Sequence, residues 1–316
     1  MKKIHKTLLS LLTSCPLFFA CSTLVNDVNP DRLPKSDNKL VVHGYLSPQD
    51  TLLQVGVYVS SLVTGRNVGS FGSFFGVVSL EGATVTLSNQ NKSIGLILNP
   101  KTGTYNARPS QMPILVGQTY NLKVTLNGQT VESSCTVPAA VNIKEVREDS
   151  IAGRNFSSDP KFVPPYDRTY KVFWQDPAGA ANYYRVAGYA FQLVRNQTAP
   201  NTFQNFPEIQ QISFNRDTRN GDLISDERND GALQASGVGR LSSYFLAANR
   251  NPILATRRVE LSLIACEKTY YDYHRAVQNY DGDNPFSEPT LVPSNIKGGL
   301  GCFAAYNRST FLAKNR

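Results

Sequence analysis

The chain has 316 residues, 41% of them hydrophobic, and a formal net charge of +8. That apolar content is enough to build packed cores and excludes a disordered polyelectrolyte. No run of five or six like charges occurs, so the basic balance excludes nucleic acid as the expected partner and reads as solubility plus attraction to anionic surfaces.

Lys2, Lys3 and Lys6 precede an apolar run from Leu8 to Ala20 that stops at Cys21. The run falls short of the ~20 apolar residues a permanent membrane helix needs, and residues 1–20 read as a signal peptide. Phe18-Phe19-Ala20-Cys21 resembles a bacterial lipobox, with Phe18 standing where Leu is usual. The resemblance implies cleavage before Cys21 and its acylation, giving an exported, lipid-anchored protein; ordinary signal peptidase would leave a soluble one. Loss of three lysines leaves 29 basic against 24 acidic residues, a formal charge of +5. Of the five cysteines, Cys15 departs with the signal and Cys21 takes lipid. Cys135, Cys266 and Cys302 remain, an odd number. An oxidising compartment permits a Cys266–Cys302 disulfide, and two buried free thiols fit the residues equally well.

Residues 21–39 are polar, carry Pro30 and Pro34, and read as a tether. Strand-like runs follow at Leu40 to Tyr45, Leu52 to Ser60, Ala83 to Ser88, Thr119 to Leu126 and Gln129 to Val137. Asn127-Gly128 joins the last two as a type I′ hairpin turn. This spacing predicts an immunoglobulin-like β-sandwich over 40–138. Pro138 marks a boundary, and 139–316 reads as a second β-rich domain. Its strands are predicted at Val141 to Arg147, Arg168 to Gln175, Tyr183 to Val194 and Arg257 to Ala265. Tyr270, Tyr273, His274, Val277 and Tyr280 recur at helical spacing, predicting one amphipathic helix near 267–281. A final apolar run from Cys302 to Tyr306 reads as strand. The fold expected is mainly β in two domains.

Asp283-Asn284-Pro285-Phe286-Ser287-Glu288-Pro289 and Ser294-Asn295-Ile296-Lys297-Gly298-Gly299-Leu300-Gly301-Cys302-Phe303 stand near the end. With Leu40 to Tyr45, Gly82 to Leu87, Gly103-Thr104-Tyr105 and Val116 to Tyr120, they resemble the outer-membrane lipoprotein family of domain of unknown function 4249. Cys302 stands where that family more often has an aliphatic residue. The resemblance implies place and architecture rather than an activity. Family members look like surface or periplasmic proteins encoded near TonB-dependent transporters, which implies an accessory role in uptake.

The residues carry little catalytic chemistry. Beyond the signal, the histidines are His43, in a predicted strand, and His274, on the helix face, where a hydrogen bond near the core is expected. No Gly-x-Ser-x-Gly elbow occurs, and no His/Cys/Asp/Glu cluster has metal-ligand spacing. Neither a catalytic site, a metal nor a cofactor is expected. Asp217 to Glu227 superficially resembles a calcium loop, but Arg219, Gly221 and Asp222 occupy the third, fifth and sixth positions, so it reads as a solvated acidic turn. Asp281-Gly282-Asp283 is weaker still. Trp174 reads as core, and of Tyr183-Tyr184 one is expected to face outward. Ser61 to Ser79 carries Phe71, Phe74 and Phe75 among glycines. These phenylalanines either fold back over the sandwich or form a loop that contacts a partner or ligand.

The expectation is therefore a non-enzymatic outer-membrane lipoprotein, held to the membrane through acylated Cys21 at the cell surface or periplasmic face. It would bind or assist a TonB-dependent transporter or another outer-membrane protein. A lipid-anchored hydrolase using paired carboxylates and a structural or adhesive module are the alternatives.

Overall fold

The structure, a computed structural model, describes residues 38–60, 80–153, 166–199, 202–214, 221–242, 253–280 and 291–313. The fold is mainly β. The N-terminal strands are β1 (Leu40–Leu46), β2 (Leu53–Val59), β3 (Thr84–Ser88), β4 (Ser93–Asn99), β5 (Thr104–Ala107), β6 (Thr119–Leu126) and β7 (Gln129–Thr136). They run β1-β2-β5-β4-β3-β6-β7. β4 turns this ribbon into a sandwich: Ser93 to Leu96 pair with β3, and Ile97 to Asn99 with β5. A strand that changes sheet in this way makes a corner between layers. Val42, Val55 and Val57 from one layer and Val85, Leu87, Leu122 and Val124 from the other share one buried cluster. Each such side chain contributes about 1.5–3 kcal/mol on leaving water. The predicted hairpin turn forms, with Asn127 at φ 49° and Gly128 at φ 78°, the positive values a type I′ turn requires.

The remaining strands are β8 (Ile143–Ile151), β9 (Asp167–Gln175), β10 (Tyr183–Ala199), β11 (Thr202–Gln211), β12 (Leu223–Ser225), β13 (Leu233–Ala235), β14 (Gly239–Leu241), β15 (Ile253–Cys266) and β16 (Leu300–Ala313). One helix lies among the described residues, α1 (Lys268–Asn279). No helix among them is long and apolar enough to cross a membrane. The order β11-β10-β15-β16 leads into β1, while β9 pairs with β8, β13 and β14 in a small second sheet. The two-residue period of β10 and β15 sets two faces. Tyr184, Val186, Leu261 and Leu263 pack with Trp174 and Tyr170 of β9. Tyr183 and Cys266 face the other way, against Tyr270 and Tyr271 of α1. Trp174 is core, as expected. Tyr183 and Tyr184 do take opposite faces, but both are buried, because α1 covers the face expected to be open.

β16 serves both cores. Its first half pairs parallel with β1, from Val41↔Leu300 to Leu46↔Ala305, and its second half pairs antiparallel with β15 from Cys266↔Tyr306 onward. Phe303 and Ala305 enter the N-terminal core, while Cys302 and Ala304 face α1. Where β15 has ended, side chains satisfy the uncovered edge of β16. Asn295 donates from Nδ2 to the Phe303 carbonyl (2.6 Å) and accepts from the Phe303 N–H (2.9 Å). Glu267 accepts from the Ala305 N–H through Oε2 (2.7 Å) and from the Thr136 N–H through Oε1 (2.6 Å). Gly301 sits at φ 114°, and a Cβ there would collide with the Val42 carbonyl oxygen.

One open alternative is settled here and one expectation corrected. Cys266 and Cys302 are buried free thiols, as is Cys135. Cys266 faces Tyr306, four residues along β16 from Cys302. That offset is about 13 Å at ~3.3 Å per residue, beyond the ~7 Å between Cα atoms that a disulfide spans. The helix also presents Tyr271 rather than Tyr280 to the core: Tyr280 lies past its end in extended backbone and is 45% exposed.

Candidate functional site

A cavity of about 640 Å³ opens on the face of β10, β15 and β16 opposite Trp174, walled by α1. Strand alternation supplies its floor. Arg185, Ala187 and Tyr189 project from β10, Ser262 and Ile264 from β15, and Tyr306 and Arg308 from β16. Register places Arg185, Ile264 and Arg308 in one cross-strand row. The two arginines are therefore two strands apart, about 9–10 Å between backbones at ~4.8 Å per strand. Tyr45 of β1 and Tyr270 and His274 of α1 close the aromatic side. Tyr45 meets Tyr270 edge-on at 5.3 Å between centroids, and Tyr270 lies 5.9 Å from Tyr306.

The electrostatics are uneven. Arg185 donates from Nε to Asp222 Oδ2 (3.0 Å) and from Nη1 to the Tyr270 hydroxyl (3.1 Å). Burial works against its charge, but Tyr270 and Asp222 outweigh that and its pKa rises. Gln278 of α1 donates Nε2 to both Asp222 oxygens (3.0 and 3.2 Å). Asp222 is thus fully engaged, and it is the single carboxylate among the lining residues. Arg308 is exposed at the rim, and its guanidinium makes no hydrogen bond or ion pair among the described residues. His274 stacks 4.2 Å from Tyr270, and its Nε2 is buried without a hydrogen-bond partner, contrary to the partner expected. Burial, then Arg185 and His43, push its pKa down to about 3, so the ring is neutral at ordinary pH. Behind it, His43 Nε2 shares a 2.8 Å hydrogen bond with the Tyr273 hydroxyl. Burial lowers the His43 pKa and pushes that of Tyr273 up to about 12.

This arrangement suits holding a ligand better than activating a nucleophile. Ser262 and Ser213 are the hydroxyl-bearing serines of the lining, and neither bonds His274 among the described residues. A general base must reach its proton at about 2.6–3.2 Å, and a glycosidase needs two facing carboxylates.

Of the described carboxylates of the acidic turn, Asp222 and Asp226 are buried and belong to separate groups, while Glu227 is exposed. Asp222 joins Arg185, while Asp226 meets Asp176 and Asp230 with carboxylate oxygens within 4.8 Å of one another. Asp176 and Asp226 are buried. Protein donors already meet all three: Tyr184 Oη (2.5 Å) and Gly231 N–H (2.8 Å) on Asp176, Asn182 Nδ2 (3.3 Å) on Asp226, and Gly179 N–H (3.0 Å) on Asp230. Cys21, Phe71, Phe74, Phe75, residues 217–220 and residues 281–283 lie outside the described residues.

Arg185, Asp222, Arg308 and the tyrosines of the cavity come from separate segments, which is why no local motif announced them. The legible signal was the alternation Tyr183-Arg185-Ala187-Tyr189, polar and aromatic on one strand face, against Tyr184-Val186 on the other.

No curated protein matches the chain. A family model described as Domain of unknown function (DUF4249) matches residues 25–311, spanning both cores, the helix and the Asn295 clip, and the chain belongs to that family.

Proposed function

We propose that the protein is an exported, lipid-anchored outer-membrane lipoprotein that acts as a non-enzymatic binding component beside a transport or surface assembly. The observation that carries this reading is the 640 Å³ cavity, with aromatic walls, Arg308 unpaired at its rim, and its one lining carboxylate already neutralised. Pockets of ~300–1,000 Å³ with a few placed polar groups are the usual form of small-ligand sites. The lipobox-like Phe18-Phe19-Ala20-Cys21 supports acylation of Cys21 and a place on the cell surface or the periplasmic face. Phe71, Phe74 and Phe75 are the residues we assign to partner contact, with a TonB-dependent transporter as the partner sought.

The test is a mild-detergent pull-down of the lipidated chain from outer membranes, read by mass spectrometry, beside a Phe71, Phe74 and Phe75 to Ser variant. Recovery of an outer-membrane transporter with the native chain alone supports the accessory role and its contact. Consistent recovery of both forms as isolated monomers overturns it.

A further inference from the structure

We propose that the cavity selects a carboxylate-bearing sugar, with Arg308 pairing with the carboxylate and the rings of Tyr45, Tyr189 and Tyr306 meeting the apolar face of the sugar. This rests on reading the cavity as a ligand site and adds the chemistry of the ligand.

The charge balance carries the argument. Among the lining residues, Arg185 and Arg308 are cations and Asp222 is the anion, while His274 is neutral. The Arg185 charge is spent on Asp222 at 3.0 Å. Among the described lining residues one positive charge is left, at the rim. A single carboxylate matches it, whereas a phosphate monoester carries about −1.5 to −2 at neutral pH and would bring excess charge toward Asp222. Asp50 accepts from the Tyr306 hydroxyl at 3.3 Å and lies close enough to Arg308 to feel its charge, but the two make no ion pair within contact distance among the described residues, and a doubly charged ligand would meet Asp50 as well as Asp222. The guanidinium is therefore available for the two-pronged carboxylate contact to which its planar fork is suited.

The rest of the lining argues for a polyhydroxylated body rather than an alkyl chain. Tyr45 and Tyr306, both half-buried, offer apolar ring surface to the cavity, and Tyr270, 7% exposed with its hydroxyl on Arg185, closes the wall between them. Tyr189, 43% exposed, continues that surface toward the opening, and Ser213 and Gln211 add polar groups on the far side. A fatty acid would place its chain against Arg185, Asp222 and Ser262, leaving polar groups facing apolar ligand atoms, which is costly.

The proposal is tested by titration calorimetry on the full chain in mild detergent, with trigalacturonate as the acidic probe and maltotriose as the neutral one. Trigalacturonate is expected to bind at least tenfold more tightly than maltotriose. Arg308→Gln removes that preference, Arg308→Lys restores part of it, and the exposed charge-matched control Lys92→Gln retains it. Equal binding of the two sugars, or a preference indifferent to Arg308→Gln, overturns the charge selection while leaving a sugar-binding cavity. If neither sugar binds while the transporter is still recovered in the pull-down, the inference falls and the accessory role stands.

Discussion

His274 shows how burial alone sets the behaviour of a residue. Its ring is walled by Tyr45, Tyr270 and Tyr273 and lies near Arg185, so a second positive charge there is disfavoured. In the unfolded chain it takes a proton near pH 6.5, and in the folded protein only near pH 3. Between those values the unfolded state binds more protons, so the stabilising contribution is complete above pH 6.5 and is lost as pH falls toward 3. Glu267 and Asp50 run oppositely, since burial raises their pKa values and protonation relieves them. The His274 contribution is therefore isolated by difference. Thermal unfolding between pH 7.5 and 4 is expected to show His274→Leu gaining on the native chain as pH falls, by up to about 1.4 kcal/mol per pH unit. Parallel curves would show that the imidazole is not held neutral. The sequence placed His274 on the inner face of a helix, and that was correct. It could not reveal that Nε2 would lack a partner, because the groups around it come from β1, β10 and α1.

Among the elements, β16 explains most about how this sequence specifies its fold. The strand was legible from its apolar run, as were β1, β2, β3, β6 and β7 from alternation and the Asn127-Gly128 turn. Short strands such as β12 to β14, three residues each, carry too few residues for a period to register. The partners of β16 were also hidden, because its parallel pairing with β1 joins residues more than 250 positions apart. Asn295 has its physical role here. β15 gives way to α1 just where β16 still needs a neighbour, and the Asn295 side chain stands in for one residue of strand. Asn295→Ala leaves the N–H and carbonyl of Phe303, a residue with no solvent exposure, without these bonds. At roughly 1–3 kcal/mol for each of the two orphaned groups, chemical denaturation is expected to report a loss of about 2–6 kcal/mol. An effect below about 0.5 kcal/mol, the size expected of an ordinary surface substitution, would mean that another group replaces the clip.

The same strand governs the behaviour of the molecule. One core is built from Val42, Leu87, Leu122 and their neighbours, the other from Trp174, Tyr184 and Leu261, and sequence spacing made each look self-sufficient. Yet Phe303 and Ala305 fill the first core from a strand whose continuation is hydrogen-bonded to β15, the floor of the second. Melting the first core would strip the first half of β16 of its apolar contacts and its β1 partner together. The ladder from Tyr306 onward would then be left to begin at a frayed end beside the cavity. Each core carries its own probe: Trp174, the sole tryptophan, in the second, and the Cys135 thiol, 3% exposed, in the first. A urea titration that follows Trp174 fluorescence, with pulsed alkylation of Cys135 read by peptide mass spectrometry, is expected to give coincident midpoints. Leu122→Ala, a cavity in the first core costing about 2–5 kcal/mol, should lower the Trp174 midpoint as much as that of Cys135. If Trp174 keeps its native midpoint while Cys135 labels early, the cores are energetically separate. Loss of the first would then leave the cavity floor intact, and β16 would be a bridge that either side can release.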